Sequence, residues 1–180
     1  KYAGMNKVNP LATILAANEL HDYLLKITGA DVPVEWYASE KMPAYRRTSK
    51  ILLQPRVDPA RETSADGSED VFTIEESAGR LVISGGSDVA VLYGVYEYLH
   101  SLGVRWFMPG ELGENVPALA SIPLTPGRRI VSRPAFRTRE IDYSGEAGWH
   151  FAADRQEAQM RDYALWLVRN KLHYARFISR

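Results

Sequence analysis

The sequence predicts a mixed α/β (α+β) chain in two parts, a small mixed-sheet domain over residues 1–125 and the opening strand–helix–strand piece of a larger parallel architecture over 126–180. Three observations predict this. Residues 10–28 and 87–103 carry apolar side chains at helical spacing, short β-type runs lie between and around them, and residues 134–180 read strand, helix, strand.

The first helix opens at Asn9 and Pro10, a cap followed by a proline whose missing N–H costs nothing at the first helical position. Its stripe runs Leu11, Ile14, Leu15, Leu20, Tyr23, Leu24 and Ile27, and Gly29 is placed to end it. VPVEWY (32–37) and KILLQP (50–55) read as strands, the second closed by a proline that cannot donate to a central ladder. From Pro55 to Asp70 the chain has charge, Pro, Gly and Ser without apolar spacing, so a surface loop is expected. Phe72 and Ile74, then Leu81 and Ile83, alternate with polar residues around EESAGR, which predicts a β-hairpin with that hexapeptide as its loop.

Ser87 is a cap for the next helix, with a stripe of Val89, Leu92, Val95, Tyr96, Leu99 and Leu102. Gly103 with Val104 behind it predicts a Schellman stop that delivers the chain into an aromatic strand, VRWF. From Met108 to Pro126 there are four prolines, which resist helix and strand interiors and suggest a seam between domains. Beyond it, PAFRTREIDYS (134–144) is strand-like, Asp154 with Glu157 resembles a capping box, and Met160, Tyr163, Ala164, Leu167 and Val168 form the stripe of a helix leading into KLHYARFIS. A strand–helix–strand run of this length implies parallel pairing. One such unit leaves open edges and an uncovered face, so the polypeptide is expected to continue past Arg180 into a larger sheet or barrel.

Composition narrows the function. Among 180 residues, 22 Lys plus Arg balance 22 Asp plus Glu, so no net field recruits nucleic acid or an anionic membrane surface. No apolar run approaches the roughly 20 residues of a membrane span. There are no cysteines, and His21, His100, His150 and His173 share no metal-binding spacing, so neither a thiolate site nor any other metal or cofactor is expected.

Several clusters remain. The strand–Gly85–Gly86–helix step has the order of a phosphate cradle but neither dinucleotide-binding nor P-loop spacing, which leaves a tight turn as its other reading. Glu140 and Asp142 leave one face of a strand about 6.5 Å apart, either a carboxylate pair or partners for arginine. Arg139 has two readings, an ion pair with Glu140 or Asp142, or a rigid fork for sugar hydroxyls or a carboxylate. Trp149 and His150 follow the glycine-bearing loop SGEAG, where a βα barrel places binding residues, and the tryptophan can stack on a sugar or tuck against its own helix. Glu111 and Glu114, in the loop after Trp106 and Phe107, read as the rim of a packing surface rather than as catalytic acids.

These residues carry a resemblance. The helix AANELHDYLLKITGADVPV, the hairpin ending LVISGG, and above all Tyr93, Gly94 and Tyr96, then Leu102, Gly103, Arg105, Trp106, Phe107, Pro109, Gly110 and Glu111, resemble the N-terminal domain of α-glucuronidases of glycoside hydrolase family 67. They are also similar to the domain preceding the barrel in β-hexosaminidases of family 20, and to uncharacterised bacterial proteins built the same way. The resemblance implies a non-catalytic accessory domain packed on a (β/α)₈ barrel, with the catalytic carboxylates on later strands and none within these residues. Pro134, Phe136 and Arg139 match in order the residues that open the first barrel strand in family 20, where the arginine binds sugar; Glu140 stands where those enzymes usually carry glycine. It further implies a carbohydrate substrate, a role in polysaccharide or glycan breakdown, and a secreted or periplasmic location. The rival expectation is a non-enzymatic carbohydrate- or protein-binding module.

Overall fold

The computed structural model describes residues 11–36, 51–55, 70–143 and 156–177. Helix α1 (Leu11–Thr28) buries Ala16, Leu20, Tyr23, Leu24 and Ile27 along one face. It ends at Gly29, whose φ of +68° turns its N–H back onto the carbonyl of Leu25 at 2.8 Å.

A five-stranded sheet follows in the order β1-β2-β4-β3-β7. Strand β1 (Glu35–Trp36) is shorter than VPVEWY predicts because Pro33 has no N–H for a ladder; Val32 and Val34 pack on the core instead. Strands β1, β2 (Ile51–Pro55) and β4 (Arg80–Gly85) run parallel, and β3 (Phe72–Ser77) is antiparallel to β4. The hairpin is tighter than expected. Its ladder persists to the Ser77–Arg80 pair, so Ala78 and Gly79 alone make the turn, with Gly79 at φ +73°. The fifth strand, β7 (Arg129–Ser132), pairs with β3 in a segment to which the sequence reading assigns no element.

Alternation divides the sheet. Ile51, Leu53, Phe72, Ile74, Leu81 and Ile83 face the helices and join one core. The opposite face buries Leu52 and the pair Thr73 and Ser84, whose hydroxyls lie 2.5 Å apart.

Helix α2 (Asp88–Ser101) packs over β4, β3 and β2, with α1 beside it toward β2 and β1. Ser87 caps it, the Oγ accepting from the Ala90 N–H at 3.0 Å. Because α1 and the sheet both press on α2, burial extends beyond a single stripe to Ala90, Val91, Tyr93, Gly94 and Tyr98. Val89, expected on the buried stripe, is instead 39% exposed. Thr13, fully buried on α1, donates to the Asp88 carboxylate at 2.6 Å and ties the two helices together.

The predicted Schellman stop is present. The Gly103 N–H reaches the His100 carbonyl at 3.0 Å and the Val104 N–H reaches that of Leu99 at 3.1 Å, with Gly103 at φ +103°. The chain then enters β5 (Arg105–Trp106), which pairs with β6 (Glu114–Asn115) around a 3₁₀ turn, Glu111–Gly113. The seam segment thus holds one short turn and one short strand where neither was expected. Its remainder is a strap: the Leu119 N–H bonds the Ile27 carbonyl, while Val116, Leu119, Ile122 and Leu124 lie on the core. Buried Glu76 of β3 pins the strap's far end, accepting from the Thr125 N–H at 2.7 Å and from Arg128 at 3.1 Å.

Last comes the predicted strand–helix–strand unit: β8 (Glu140–Tyr143), α3 (Gln156–Arg169) and β9 (Tyr174–Phe177), with β8 and β9 parallel. On α3, Tyr163 and Leu167 are buried, whereas Met160 is 40% exposed and Ala164 is exposed despite their place on the expected stripe. Asn9, Pro10, the loop expected over 56–69 and the capping residue Asp154 lie outside the described residues.

The close approach of β4 to α2 depends on Gly85, where a Cβ would meet the Val91 nitrogen at 2.7 Å and the Ala90 Cβ at 2.8 Å. Gly85→Ala is therefore expected to cost about 1–3 kcal/mol, the usual scale of overpacking. Urea denaturation checks this, and an unchanged midpoint contradicts it.

Candidate functional site at the seam

The α/β layer and the βαβ unit meet along two clusters. The first is built on Trp106, which the Schellman turn at Gly103 delivers inward. Its indole is 4% exposed and donates from Nε1 to the Tyr23 hydroxyl at 2.8 Å. The rings of Tyr23 and Tyr96 meet it edge to face, each with centroids 5.4 Å away, and the His100 ring lies at 5.1 Å. From α3, the Arg169 guanidinium sits 5.5 Å from both the Tyr23 and Trp106 rings and pairs with Glu19 at 3.1 Å. Tyr96 donates to the same Glu19 carboxylate at 3.3 Å. The main-chain carbonyl of Trp106 accepts from Trp166 Nε1 at 3.0 Å and from Asn170 Nδ2 at 3.4 Å. One residue thus joins α1, α2, β5 and α3.

Burial sets the protonation here. It pushes the Tyr96 hydroxyl up, with the Glu19 charge acting in the same direction, and it also pushes Tyr23 up. At Arg169, burial works against the charge, but Glu19 and the two tyrosines more than offset it and the guanidinium is held above its ordinary value. His100 is pulled below its ordinary value, first by burial and then by Lys171. His100, in the last turn of α2, is half-buried on Trp106 because the helix stop folds the chain back under it.

The second cluster is built on Arg139, immediately before β8. Its Nε donates to the Lys171 carbonyl at 2.7 Å, one terminal nitrogen to the Phe136 carbonyl at 2.9 Å, and the other to Asp70 at 2.9 Å. The fork also lies 5.5 Å from the Tyr93 ring. Asp70, ahead of β3, is an ion-pair partner of Arg139; the side chain of Asp142 lies outside the described residues. His173 joins them, with Nε2 2.7 Å from Asp70 and Nδ1 3.4 Å from the Arg139 N–H. Nε2 also lies 3.0 Å from the Arg139 terminal nitrogen that meets Asp70. Tyr93 is pushed up by burial and, secondly, by the Asp70 charge.

Lys171 supplies the carbonyl that Arg139 grips because it occupies the left-handed region, φ +60°. It ends α3 by the same stop that Gly103 provides for α2: the Lys171 N–H bonds the Val168 carbonyl and the Leu172 N–H that of Leu167, both at 2.9 Å. Its ammonium pairs with Glu97 of α2. Asp70, Phe72, Tyr93, Ser132, Arg139 and Lys171 line a small cavity of about 250 Å³ beside this cluster.

Of the residues singled out in the sequence, Arg139 is therefore engaged at the N-terminal end of β8. Trp149 and His150 lie outside the described residues, as does the loop that carries them. Glu140 is exposed on β8, and Glu111 is exposed beside half-buried Glu114 in the loop after Trp106. Trp106 packs inward, whereas Phe107, Met108 and Leu112 are 73%, 53% and 98% exposed. The glycine pair serves packing and capping: the Gly86 N–H bonds the Val71 carbonyl, and the Ala90 and Val91 N–H groups bond Ser87. Among the described residues no group of three or more His, Cys, Asp or Glu is arranged to hold a metal, and no helix is long and apolar enough to cross a membrane. Sequence reasoning missed Asp70 and His173. They stand 69 and 34 residues from Arg139, and no spacing rule connects them.

No family model matches the chain, and no curated protein matches it. Solved structures do. The family 89 glycoside hydrolase from Clostridium perfringens, in complex with PUGNAc, is similar with a TM-score of 0.55 and 18% identity, over 94% of this chain and 17% of that one. The family 115 4-O-methyl-α-glucuronidase BtGH115A, with specificity for decorated arabinogalactans, is similar with a TM-score of 0.59 and 15% identity, over 94% of this chain and 24% of that one. The family 20 β-N-acetylhexosaminidase from Streptomyces coelicolor A3(2) has a TM-score of 0.51 and 20% identity, over 93% of this chain and 29% of that one. The likeness is one of fold, that of an α/β fragment of these larger chains. This chain spans less than a third of the length of each.

Truncating Arg169 strands the Glu19 carboxylate in a largely buried site. Arg169→Ala is expected to lose about 3 kcal/mol or more in chemical denaturation, and a loss within experimental error counts against the cluster as the principal dock. His100, with its folded pKa depressed, supports stability above its ordinary value near 6.5, and that support is lost as pH falls through the folded value. The stability of His100→Gln should therefore decline less than that of the wild type between about pH 7 and 5; parallel curves contradict this.

Proposed function

We propose that the α/β layer, from α1 through β7, is the N-terminal accessory domain, and the β8–α3–β9 unit the opening step of the (β/α)₈ barrel, of a glycoside hydrolase that breaks down polysaccharide or glycan. The observation that carries the reading is the parallel β8–α3–β9 unit docked on the α/β layer through Trp106. A two-stranded parallel sheet calls for further strands and for cover on both faces, and solved proteins of like fold are glycoside hydrolases.

In this reading the bond is cleaved by two carboxylates on later barrel strands. This stretch supplies position rather than catalytic groups and is inactive alone. Trp149 and His150 follow β8 in the sequence, and this reading gives them the sugar contacts that barrels make from the segments after their strands. For Arg139 the contacts favour a positioning role. Its N–H groups engage Asp70, Lys171 and Phe136 at the opposite end of the strand, so it registers β8 against β9 and the α/β layer. The substrate falls in the hexosaminide or glucuronide class, and a secreted or periplasmic location fits a polymeric glycan.

A second reading, a carbohydrate- or protein-binding module without turnover, draws on exposed Phe107 and Leu112. Kinetics of the full-length protein on chromogenic N-acetylhexosaminides and glucuronides separate these. Trp149→Ala should raise KM about tenfold, a loss of about 1.4 kcal/mol in binding, with the melting temperature unchanged. Arg139→Ala should lower the melting temperature and leave KM unmoved; a raised KM at constant melting temperature instead assigns Arg139 to the sugar. Glycan binding without turnover establishes the module.

A further inference from the structure

Between β6 and β7 the strap over residues 116–124 crosses the end of the core on few bonds. Among the described residues its only main-chain hydrogen bond runs from the Leu119 N–H to the Ile27 carbonyl, at 2.9 Å. Pro117 and Pro123 have no N–H to offer. Ala118, Ala120, Ser121 and Pro123 are exposed, and Val116, Leu119, Ile122 and Leu124 are only partly buried. Ile122 and Leu124 share with Val32, Ile51 and Leu81 the lining of a cavity of about 390 Å³, and side chains that line a void lack packing partners on that side.

Both ends of the strap are held more firmly. Before it, β6 pairs with β5, Asn115 opposite Arg105. After it comes Glu76 of β3, whose side chain is 0% exposed and accepts from the Thr125 N–H at 2.7 Å and from Arg128 at 3.1 Å. The main chain of Glu76 adds two bonds to the same turn: its carbonyl accepts from the Gly127 N–H at 2.8 Å, and its N–H donates to the Arg128 carbonyl at 2.9 Å. Segments with few buried contacts and few main-chain bonds are the ones that open locally, ahead of the fold as a whole.

We propose that the strap is a gate: residues 116–124 swing out together between these two anchors and bare the apolar end of the core at Val32, Ile51 and Leu81. The Glu76 carboxylate is the latch. Opening breaks the Leu119–Ile27 bond and pulls the Thr125 N–H from Glu76, while the β3–β7 ladder and the Trp106 dock stay in place. Because the carboxylate is shut off from water, losing that donor leaves an acceptor unserved, which keeps the closed form dominant. The gate rests on no part of the hydrolase reading.

Amide hydrogen exchange of the full chain, followed by NMR, tests this. After correction for intrinsic rates, the Leu119 amide is expected to exchange roughly a hundredfold or more faster than those of Tyr96 and Leu99 in α2, which report global unfolding. When closing outruns exchange, a variant that loosens only the closed form speeds both openings by one factor, whereas a fluctuation that leaves Glu76 engaged does not respond to it. Glu76→Gln keeps the shape of the side chain and loses the ion pair with Arg128, so Leu119 should quicken about tenfold, with Leu99 keeping pace. Ile122→Ala removes an apolar anchor and should quicken Leu119 about fivefold; it decides the matter should Glu76→Gln fail to fold. Leu119 exchanging as slowly as Leu99 in the wild type overturns the proposal, as does a Leu119 rate that either folded variant leaves at the wild-type value.

Discussion

Burying an indole removes a large apolar surface from water but also removes its N–H, which then needs an acceptor. Trp106 meets that requirement with the Tyr23 hydroxyl and, in doing so, fixes where α1, α2 and α3 stand relative to one another. The geometry works because the chain reaches Trp106 through a stop that reverses direction within two residues, at Gly103 and Val104. A helix that frayed here would point the tryptophan elsewhere. The tyrosine edges would then lose their partner, and Arg169 would be a charge without either ring.

The Arg139 cluster works by a different principle. Arg139 and Asp70 are charged and only partly shielded, and ion pairs of this kind return little net stability once desolvation is counted. What they provide is register. Arg139 holds a carbonyl at the end of α3, a carbonyl ahead of β8 and a carboxylate ahead of β3, so the start of the parallel pair is located against the older sheet by hydrogen bonds with direction. Lys171 pays for its left-handed backbone through the contacts it makes there, its carbonyl to Arg139 and its ammonium to Glu97.

Legibility in the sequence follows locality. Ser87, Gly29 and Gly103 act through bonds to residues within five positions, and all three could be read in advance. The parallel character of β8 and β9 could be read as well, since strand, helix and strand follow one another at the required lengths. Strand β7 could not: it is only four residues long, and it exists because β3 offers an edge. The buried sides of α2 and α3 were only partly legible, because a helical stripe shows where apolar residues recur and not how many elements press on them. Val89 and Met160 show the difference. The partners Asp70 and His173 of Arg139 lie furthest from any local signal, 69 and 34 residues away, and the sequence reading, which looked to nearby carboxylates, did not find them.

One detail of the dock bears on how such proteins diverge. Trp166 and Asn170 donate to the main-chain oxygen of Trp106, and not to its side chain. A carbonyl is the same chemical group whatever residue carries it. This part of the attachment between the two units is thus invisible to substitution at its own position, and for it only the donors on α3 need be retained. Descent can rewrite most of the letters around such a joint while the angle between the parts persists. Shared architecture at 15–20% identity is the outcome that this kind of joint permits.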